Sequence, residues 1–322
     1  MGDMIMEEID MDRMVFEDAL KSGSLRKMRQ LPKCDLHNHA ARGGKQTYVE
    51  KMLGMSFPPT QIVFRSLEEA DAWLKKGLSQ SRLSSKMTYL KCVEASFVFA
   101  KEDSIMYLAL DFGLGEIFSF GGMETFVHII DVIKNNFIPE VIFEPVLAIY
   151  DNEGIQYLDE IFSYGWFKAL DIINYKRLLS MNDMKEICNY ARKYHIRTKA
   201  HIGEVGSPDD IWRYAEELML DEIQHGIQAI KSPAVMKWLA KNKIPLNICP
   251  ASNIRLGLCK DYANHPIGQL YRNGIKVTVN TDDFLIFGAS VSHEYLKLYQ
   301  CNNMKIEELY NIYMLTQQRL LL

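Results

Sequence analysis

Short hydrophobic runs alternate with longer segments of mixed polarity along most of this chain. The short runs have the length and pattern of β-strands. They occupy residues 33–39, 92–98, 141–149, 166–172, 197–202, 222–225, 245–249 and 275–280. The segments between them carry apolar residues at the spacing typical of helices with one buried face. This alternation indicates a parallel sheet with helices packed against it.

The clearest predicted helix covers residues 207–220. Ser207 is suited to cap its first turn, Pro208 to begin it and Asp210 to interact with the helix dipole. Three apolar residues then recur on one face: Ile211, Ala215 and Leu218. The pattern therefore predicts a helix that packs on the sheet through that face.

The eight strand–helix units lie within residues 31–322, and they predict the α/β fold class with a single (β/α)8 TIM barrel. An open, doubly wound sheet is also compatible with the alternation alone. The length of 322 residues would suit two average domains, but α/β barrels often reach this size as one unit. Residues 1–30 precede the first strand and are predicted to form an N-terminal helical arm.

Composition and charge are those of an ordinary globular protein. The net charge of −4 provides no basic field for nucleic acid or an anionic membrane. No apolar stretch is long enough for a transmembrane helix, and the first residues lack the regions of a signal peptide. The six cysteines are scattered, as in reduced cytosolic proteins. We expect a cytoplasmic protein without nucleic-acid or membrane partners, and the oligomeric state stays open.

Polar residues interrupt the ends of several predicted strands, where burial makes them costly unless they are paired or bind a metal. The first case is the segment 35–39, which contains His37 and His39. Residues two apart on a strand point to the same side, so both imidazoles would project into one cavity. This arrangement favours a metal site, and the alternative for each ring is a buried histidine that donates to a carbonyl.

Three further strand ends carry polar residues of the same kinds. His201 closes one strand with Glu204 close behind it, although a carboxylate there could also interact with the dipole of the next helix. His225 ends another strand, and a satisfied core histidine is the alternative. Asp282 and Asp283 follow the last strand. Adjacent carboxylates repel each other unless a cation or donor separates their roles, and an Asx turn is the alternative.

All these residues fall at the carboxyl ends of predicted strands, the edge that carries active sites in (β/α)8 barrels. Imidazoles with one carboxylate suit Zn²⁺ that keeps an open position for water. Zinc lowers the pKa of that water toward ~7, and a nearby carboxylic acid and a further histidine could transfer protons. The candidate residues are His37, His39, His201, Glu204, His225, Asp282 and Asp283.

The ordered motifs resemble those of the adenosine deaminase family of metal-dependent hydrolases. Residues 32–39 (PKCDLHNH) resemble the family's opening motif, and residues 201–204 (HIGE) resemble its H-x-G-E motif. Residues 224–226 (QHG) and 280–283 (NTDD) resemble the two motifs that follow. Residues 249–253 (CPASN) resemble the family's C-P-x-S-N segment. The resemblance extends over nearly the whole of the predicted barrel.

This resemblance implies zinc-dependent deamination of an adenine nucleoside or nucleotide, a small purine substrate, with release of ammonia. Glu204 would protonate the ring nitrogen beside the attacked carbon. His225 would orient the attacking hydroxide and stabilise charge, and Asp283 would hydrogen-bond the purine. The implied ligands of one zinc ion per chain are His37, His39, His201 and Asp282.

Two departures from the family pattern concern the substrate pocket. Ala41 stands where the family has an acid that contacts the sugar. The stretch 171–176 lacks the glycine of a family motif whose backbone contacts the purine, and Asn174 within it is predicted to contact the substrate. Arg42 begins the loop 42–45 (RGGK), which would bind a phosphate or form a solvated loop. Adenosine, AMP and N6-modified adenine nucleotides all remain candidate substrates.

Other functions stay open on the sequence alone. The same barrel could hydrolyse another bond, such as a phosphoester or an amide, or could bind a ligand without catalysis. The sequence disfavours the zinc cytidine deaminase class, because the chain has no H-x-E followed by P-C-x-x-C. Residues 52–77 are a candidate lid over the pocket, with Phe57 and Trp73 as its apolar contacts.

Overall fold

Eight parallel strands form one sheet in which neighbours in sequence are neighbours in space. The computed structural model describes the backbone of residues 2–59 and 63–321 and the side chains of residues 11–59 and 63–321. The strands are β1 (Lys33–Asp35), β2 (Ile105–Gly113), β3 (Ile142–Ile149), β4 (Ala169–Ile172), β5 (Arg197–Ile202), β6 (Glu222–His225), β7 (Leu246–Ile248) and β8 (Val277–Val279).

Polar contacts bring the first strand against the last. The backbone N–H of Leu36 donates to Asn280 Oδ1 at 2.9 Å, and Asn38 forms a parallel bridge with Asp282. The strands thus form a nearly closed barrel with helices around it. The prediction of a single (β/α)8 TIM barrel is confirmed.

Helices surround the strands and fill the loops between them. In the described residues they are α1 (Gly2–Ser22), α2 (Leu25–Met28), α3 (Gln46–Leu53), α4 (Leu67–Leu78), α5 (Ser85–Glu102), α6 (Leu114–Ser119), α7 (Met123–Phe137), α8 (Leu158–Ser163), α9 (Met181–Lys193), α10 (Pro208–Glu217), α11 (Pro233–Asn242), α12 (Pro250–Arg255), α13 (Ile267–Arg272), α14 (Phe284–Phe287), α15 (Val291–Gln300) and α16 (Ile306–Gln317). The helix predicted at 207–220 corresponds to α10, and Ser207 Oγ accepts the Asp209 N–H at 3.2 Å. No helix in this part of the chain has the length and apolar character needed to cross a membrane.

One predicted strand is wrong. Residues 92–98 lie inside α5, and the second strand is instead Ile105–Gly113. Most of the residues between 92 and 100 are buried, so this stretch shows no polar face with helical period. A short, continuous apolar run does not distinguish a strand from a buried helix. The other predicted strands coincide with β1 and β3 to β8, although several are shorter in the structure.

The N-terminal helix α1 packs against the last two helices of the barrel. The ring of Phe16 lies 5.4 Å from Tyr295, 5.6 Å from Tyr310 and 5.2 Å from Tyr313, measured between centroids. Phe16 is fully buried there. Aromatic burial of this kind fixes α1 to the outer wall of the barrel.

An ionic cluster occupies the barrel interior near the starts of β3, β5 and β6. Lys199 Nζ lies 2.7 Å from Glu144 Oε1 and 3.6 Å from Glu222 Oε2. Arg197 also pairs with Glu222, at 3.1 Å. Burial opposes the charge on Lys199, but the two carboxylates hold its pKa above the usual value. Lys199, Glu144 and Glu222 are buried and satisfy one another's charge, while Arg197 is partly exposed.

Candidate active site

The carboxyl ends of the strands bring the predicted site residues together. His201 lies on β5 and His225 ends β6, while the other residues directly follow a strand. Every member of the set except His39 and His201 is buried, and those two are partly exposed. The residues gathered at this end of the barrel are His37, His39, His201, Glu204, His225, Asp282 and Asp283.

Three imidazoles face one another at the centre of this cluster. The ring centroids of His37 and His201 are 4.7 Å apart, and His39 lies 5.5 Å from His37 and 5.4 Å from His201. One nitrogen from each ring lies within 4.8 Å of the other two. Three nitrogens this close fit the coordination shell of a single metal ion.

The hydrogen bonding of His37 also fits a metal. Its Nδ1 lies 3.4 Å from the carbonyl oxygen of Asn247, which can only accept, so Nδ1 carries the proton. No described residue hydrogen-bonds the buried Nε2. Burial and the neighbouring imidazoles, despite the nearby Asp282 carboxylate, leave the pKa of His37 well below its usual value. The ring is therefore neutral and directs a free lone pair into the cluster.

Asp282 completes the cluster from the end of β8. Its Oδ1 lies 3.4 Å from His39 Nε2 and 3.9 Å from His37 Nε2. Burial opposes ionisation, but the His39 hydrogen bond and the nearby imidazoles hold the pKa of Asp282 well below its usual range. Carboxylates including Asp283 in turn raise the pKa of His39 to about 10 against the effect of burial. This concentration of negative charge is one that a divalent cation would balance.

Two buried carboxylates orient the imidazoles from outside the cluster. Asp171 Oδ1 accepts from His201 Nδ1 at 3.1 Å, and Asp111 Oδ2 lies 3.5 Å from His39 Nδ1. Each interaction directs the Nε2 atom of its ring toward the cluster. Carboxylates in this position are typical outer partners of histidines that bind metals. The sequence analysis missed both residues, although a single acid inside the apolar runs of β2 and β4 was an available signal.

Glu204 reaches the cluster from the turn after β5. Gly203 before it has φ +69°, and a Cβ there would lie 2.3 Å from Ile211 Cδ1, so the turn requires glycine. Glu204 Oε1 lies 3.8 Å from His225 Nε2, and no described residue hydrogen-bonds it. Burial, followed by the charge of Asp282, raises the pKa of Glu204 to about 8. Near neutral pH it is thus a carboxylic acid with a proton to donate.

His225 lies beside this acid with its ring fully buried. Its backbone adopts φ +64°, which is uncommon for a residue with a side chain. Its Nε2 lies 3.9 Å from Asp282 Oδ2. Burial lowers the pKa of His225 to about 3, so the imidazole is neutral at physiological pH.

A cavity of about 290 Å³ opens beside the cluster. Arg42, Asn174 and Asp283, the predicted substrate contacts, all line it. Arg42 Nη1 pairs with Asp283 Oδ2 at 3.1 Å and with Asp71 Oδ1 at 2.9 Å. Asn174 donates through Nδ2 to the Leu179 carbonyl at 2.9 Å and accepts the Leu179 N–H through Oδ1 at 3.0 Å. The cavity therefore holds a guanidinium engaged by carboxylates and an amide engaged by its own loop.

The candidate lid contributes one wall of the cavity. Residues 60–62 of this segment lie outside the described residues, and α4 supplies Leu67 and Asp71 to the cavity. Tyr175 Oη donates to Asp71 Oδ2 at 3.3 Å, which links α4 to the loop after β4. Phe57 and Trp73 instead stack on each other, with centroids 5.0 Å apart, in a buried cluster. The polar residue Asp71 was missed by the sequence analysis.

Comparisons with known proteins agree on one family. The family model for adenosine deaminase matches residues 168–314. A Treponema pallidum protein named "Putative adenosine/adenine deaminase" is 25% identical over 86% of this chain and 94% of its own length.

Solved structures share the fold. An adenine deaminase from Arthrobacter aurescens has a TM-score of 0.74 and 19% identity, with 89% of this chain and 93% of that chain covered. The N6-methyl-AMP deaminase from Arabidopsis thaliana has a TM-score of 0.71 and 17% identity, with 90% and 91% covered. The family match, the Treponema pallidum relative and the barrel together support an adenosine deaminase-like aminohydrolase.

Proposed function

We propose that this barrel holds one zinc ion and deaminates an adenine nucleoside or nucleotide. The proposed zinc ligands are His37, His39, His201 and Asp282. The support is the free lone pair of His37, the proximity of the imidazoles and the negative charge around them. A zinc ion bound there would lower the pKa of a coordinated water toward ~7.

Glu204 is proposed as the proton donor to the purine. The observation that carries the proposal is a buried carboxyl beside the cavity, with its pKa raised to about 8 and one oxygen without a described hydrogen-bond partner. A proton on the ring nitrogen makes the adjacent carbon more electrophilic. Water adds to that carbon, the exocyclic amine leaves as ammonia, and the product carries a carbonyl there. Neutral His225 stands beside the acid and stabilises charge on the added oxygen.

Asp283 is proposed to position the purine. Its Oδ2 is held by Arg42, while no described residue hydrogen-bonds its buried Oδ1. The free oxygen can accept a hydrogen bond from a purine or donate one when the carboxyl is protonated. Burial raises the pKa of Asp283 against the opposing charge of Arg42. Asn174 also lines the cavity, and we propose that it contacts the substrate there.

The test of the activity is ammonia release by zinc-loaded protein. The panel contains adenosine, deoxyadenosine, adenine and AMP, with N6-methyl-AMP assayed for methylamine. We expect Glu204→Gln to lower kcat about 10²–10⁴-fold, the usual contribution of a positioned acid, without loss of zinc. Glu186→Gln, at an exposed position on α9, is the matched control. Turnover that is unchanged in Glu204→Gln would refute the assignment of the acid.

Replacement of Arg42 tests whether this residue recognises the phosphate of a nucleotide substrate. Because two carboxylates already engage its guanidinium, we expect it to hold Asp283 rather than a phosphate. Arg42→Ala should then raise KM for AMP and adenosine by the same factor. A selective rise for AMP would instead assign the phosphate to Arg42.

We further propose that the protein acts in the cytoplasm on a small-molecule substrate. The support is the chemistry of its cysteines, since all six are free thiols, as in a reducing compartment. The net charge of −4 supports the absence of a nucleic-acid partner.

A further inference from the structure

A chain of hydrogen bonds connects a backbone amide behind the barrel wall to His225. The Ile267 N–H donates to His265 Nδ1 at 3.2 Å. His265 Nε2 lies 3.1 Å from Asn253 Oδ1, and Asn253 Nδ2 lies 3.4 Å from His225 Nδ1. All three side chains are at most 3% exposed, so water does not compete for these groups.

The backbone amide of Ile267 fixes which atoms donate and which accept along these hydrogen bonds. A backbone N–H can only donate, so His265 Nδ1 must be the unprotonated nitrogen. Burial lowers the pKa of His265 to about 3, which keeps the ring neutral. Its single proton is therefore on Nε2 and is donated to Asn253.

The proton on His265 Nε2 in turn fixes the orientation of the Asn253 side-chain amide. The amide accepts from His265 through Oδ1, which places Nδ2 as a donor toward His225 Nδ1. Rotating the amide by half a turn would set Nδ2 against the donor of His265 and leave two buried donors facing each other, which is costly. His225 Nδ1 must then be unprotonated, and the proton of the neutral ring is on Nε2.

We propose that Asn253 and His265 are positioning residues that hold His225 in its neutral Nε2–H form. His225 then presents a hydrogen-bond donor to the reaction, beside Glu204 Oε1 at 3.8 Å and Asp282 Oδ2 at 3.9 Å. A fixed donor stabilises negative charge that develops on an added oxygen without any rearrangement. The same ring cannot act as a general base through Nε2, because that nitrogen already carries a proton.

The inference rests on the proposed function only where turnover is measured, and its main test needs no substrate. Protein labelled with ¹⁵N in its eight histidines is studied by long-range ¹H–¹⁵N correlation, with and without one equivalent of zinc. The unprotonated nitrogen of a neutral imidazole resonates far downfield of the protonated one. The His225 signals are identified by their loss in His225→Gln. We expect Nδ1 downfield, and a downfield Nε2 would overturn the proposal even if neither positioning residue can be replaced without unfolding the protein.

Variants of the two positioning residues test whether the chain sets this form. His265→Leu removes the donor and frees the Asn253 amide to rotate, while His265→Gln retains a donor near the Nε2 position. Asn253→Asp, studied at a pH where the new carboxylate is ionised, offers His225 only acceptors. We expect protonated Nδ1 to appear in His265→Leu and in Asn253→Asp but not in His265→Gln. If His225 keeps its Nε2–H form in both His265→Leu and Asn253→Asp, the proposed role of these hydrogen bonds is overturned.

The activity readout separates positioning from binding. We expect His265→Leu to lower kcat about 10²–10³-fold, the effect of losing one preorganised donor, with KM nearly unchanged and activity restored in His265→Gln. Equal zinc content and equal unfolding midpoints would confirm that the fold is intact. If no substrate in the panel reacts, the proposed function fails while the ¹⁵N spectra still decide the inference.

Discussion

At the scale of single residues, each proposed metal-binding histidine owes its orientation to a partner outside the cluster. His201 is the clearest case, since its Nδ1 donates to Asp171 at 3.1 Å. Asp171 is held in turn by Gln224 Nε2 at 3.1 Å. The carboxylate therefore fixes both the tautomer and the angle of the ring.

Asp171→Asn should weaken zinc binding, because the amide is a poorer acceptor and leaves the His201 ring less well oriented. We expect a loss of about 10–100-fold in affinity, measured by competition with a chromophoric chelator. Asp209→Asn, at an exposed position on α10, serves as the control. Equal affinities in the two variants would contradict an orienting role for Asp171.

The buried acid Glu294 should make the free energy of unfolding depend on pH. Glu294 is fully buried, and its Oε1 accepts the Ala251 N–H at 2.8 Å. Burial raises its pKa from 4.5 to about 8. Between these values the unfolded chain loses the proton while the folded protein keeps it, so stability contributed by this group falls as pH rises.

Glu294→Gln should abolish this contribution, because the amide is neutral at every pH in the window. Relative to the unsubstituted protein, the variant should gain free energy of unfolding as pH rises from 4.5 toward 8. Urea unfolding of both proteins near the two ends of the window measures the difference. A difference that stays constant with pH would show that Glu294 ionises normally in the folded state.

At the scale of elements, the turn between β5 and α10 decides whether Glu204 reaches the site. Gly203 adopts φ +69° and lies against Ile211 of α10. Gly203→Ala should destabilise the fold by more than the ~1–3 kcal/mol of a strained backbone alone, because its Cβ also meets Ile211. Gly115→Ala on α6, where a Cβ meets nothing within 4 Å, should be neutral or stabilising by ~0.5–1 kcal/mol. Urea unfolding compares the two, and equal effects would contradict the close-packing argument.

The stretch 92–98, which was predicted as a strand but lies inside α5, shows how burial changes a sequence pattern. The stretch 92–98 is apolar because α5 is buried on most sides there, and burial removes the polar face that reveals a helix. By contrast, α10 keeps exposed residues on its outer face and was predicted with its cap. Helix prediction from one sequence therefore succeeds where the helix faces water and fails where it does not.

At the scale of the whole molecule, the barrel interior is divided between a reactive end and an ionic end. Lys199 occupies β5 two residues before His201, and it lies 2.7 Å from Glu144 and 3.6 Å from Glu222. Because two carboxylates engage its ammonium group, this buried lysine has a structural role.

Lys199→Met should therefore destabilise the fold, because it leaves Glu144 and Glu222 with less compensation for their burial. We expect a loss of about 3–5 kcal/mol in the free energy of unfolding. The double variant Lys199→Met, Glu144→Gln should lose less than the sum of the two single changes. Strictly additive losses would show that the two side chains do not stabilise each other.

The sequence by itself predicted the barrel and identified the seven residues that the structure brings together. Strand ends that carry histidines and acids are costly without a function, so a local pattern marks them wherever the strands finally lie. The tertiary structure alone decided which groups surround them. Asp111, Asp171, Asp71 and His265 come from distant segments, and each acts through hydrogen bonds or ion pairs whose partners cannot be identified from its own neighbourhood in the sequence. Such contacts exist only once the strands and loops have been brought together around the barrel.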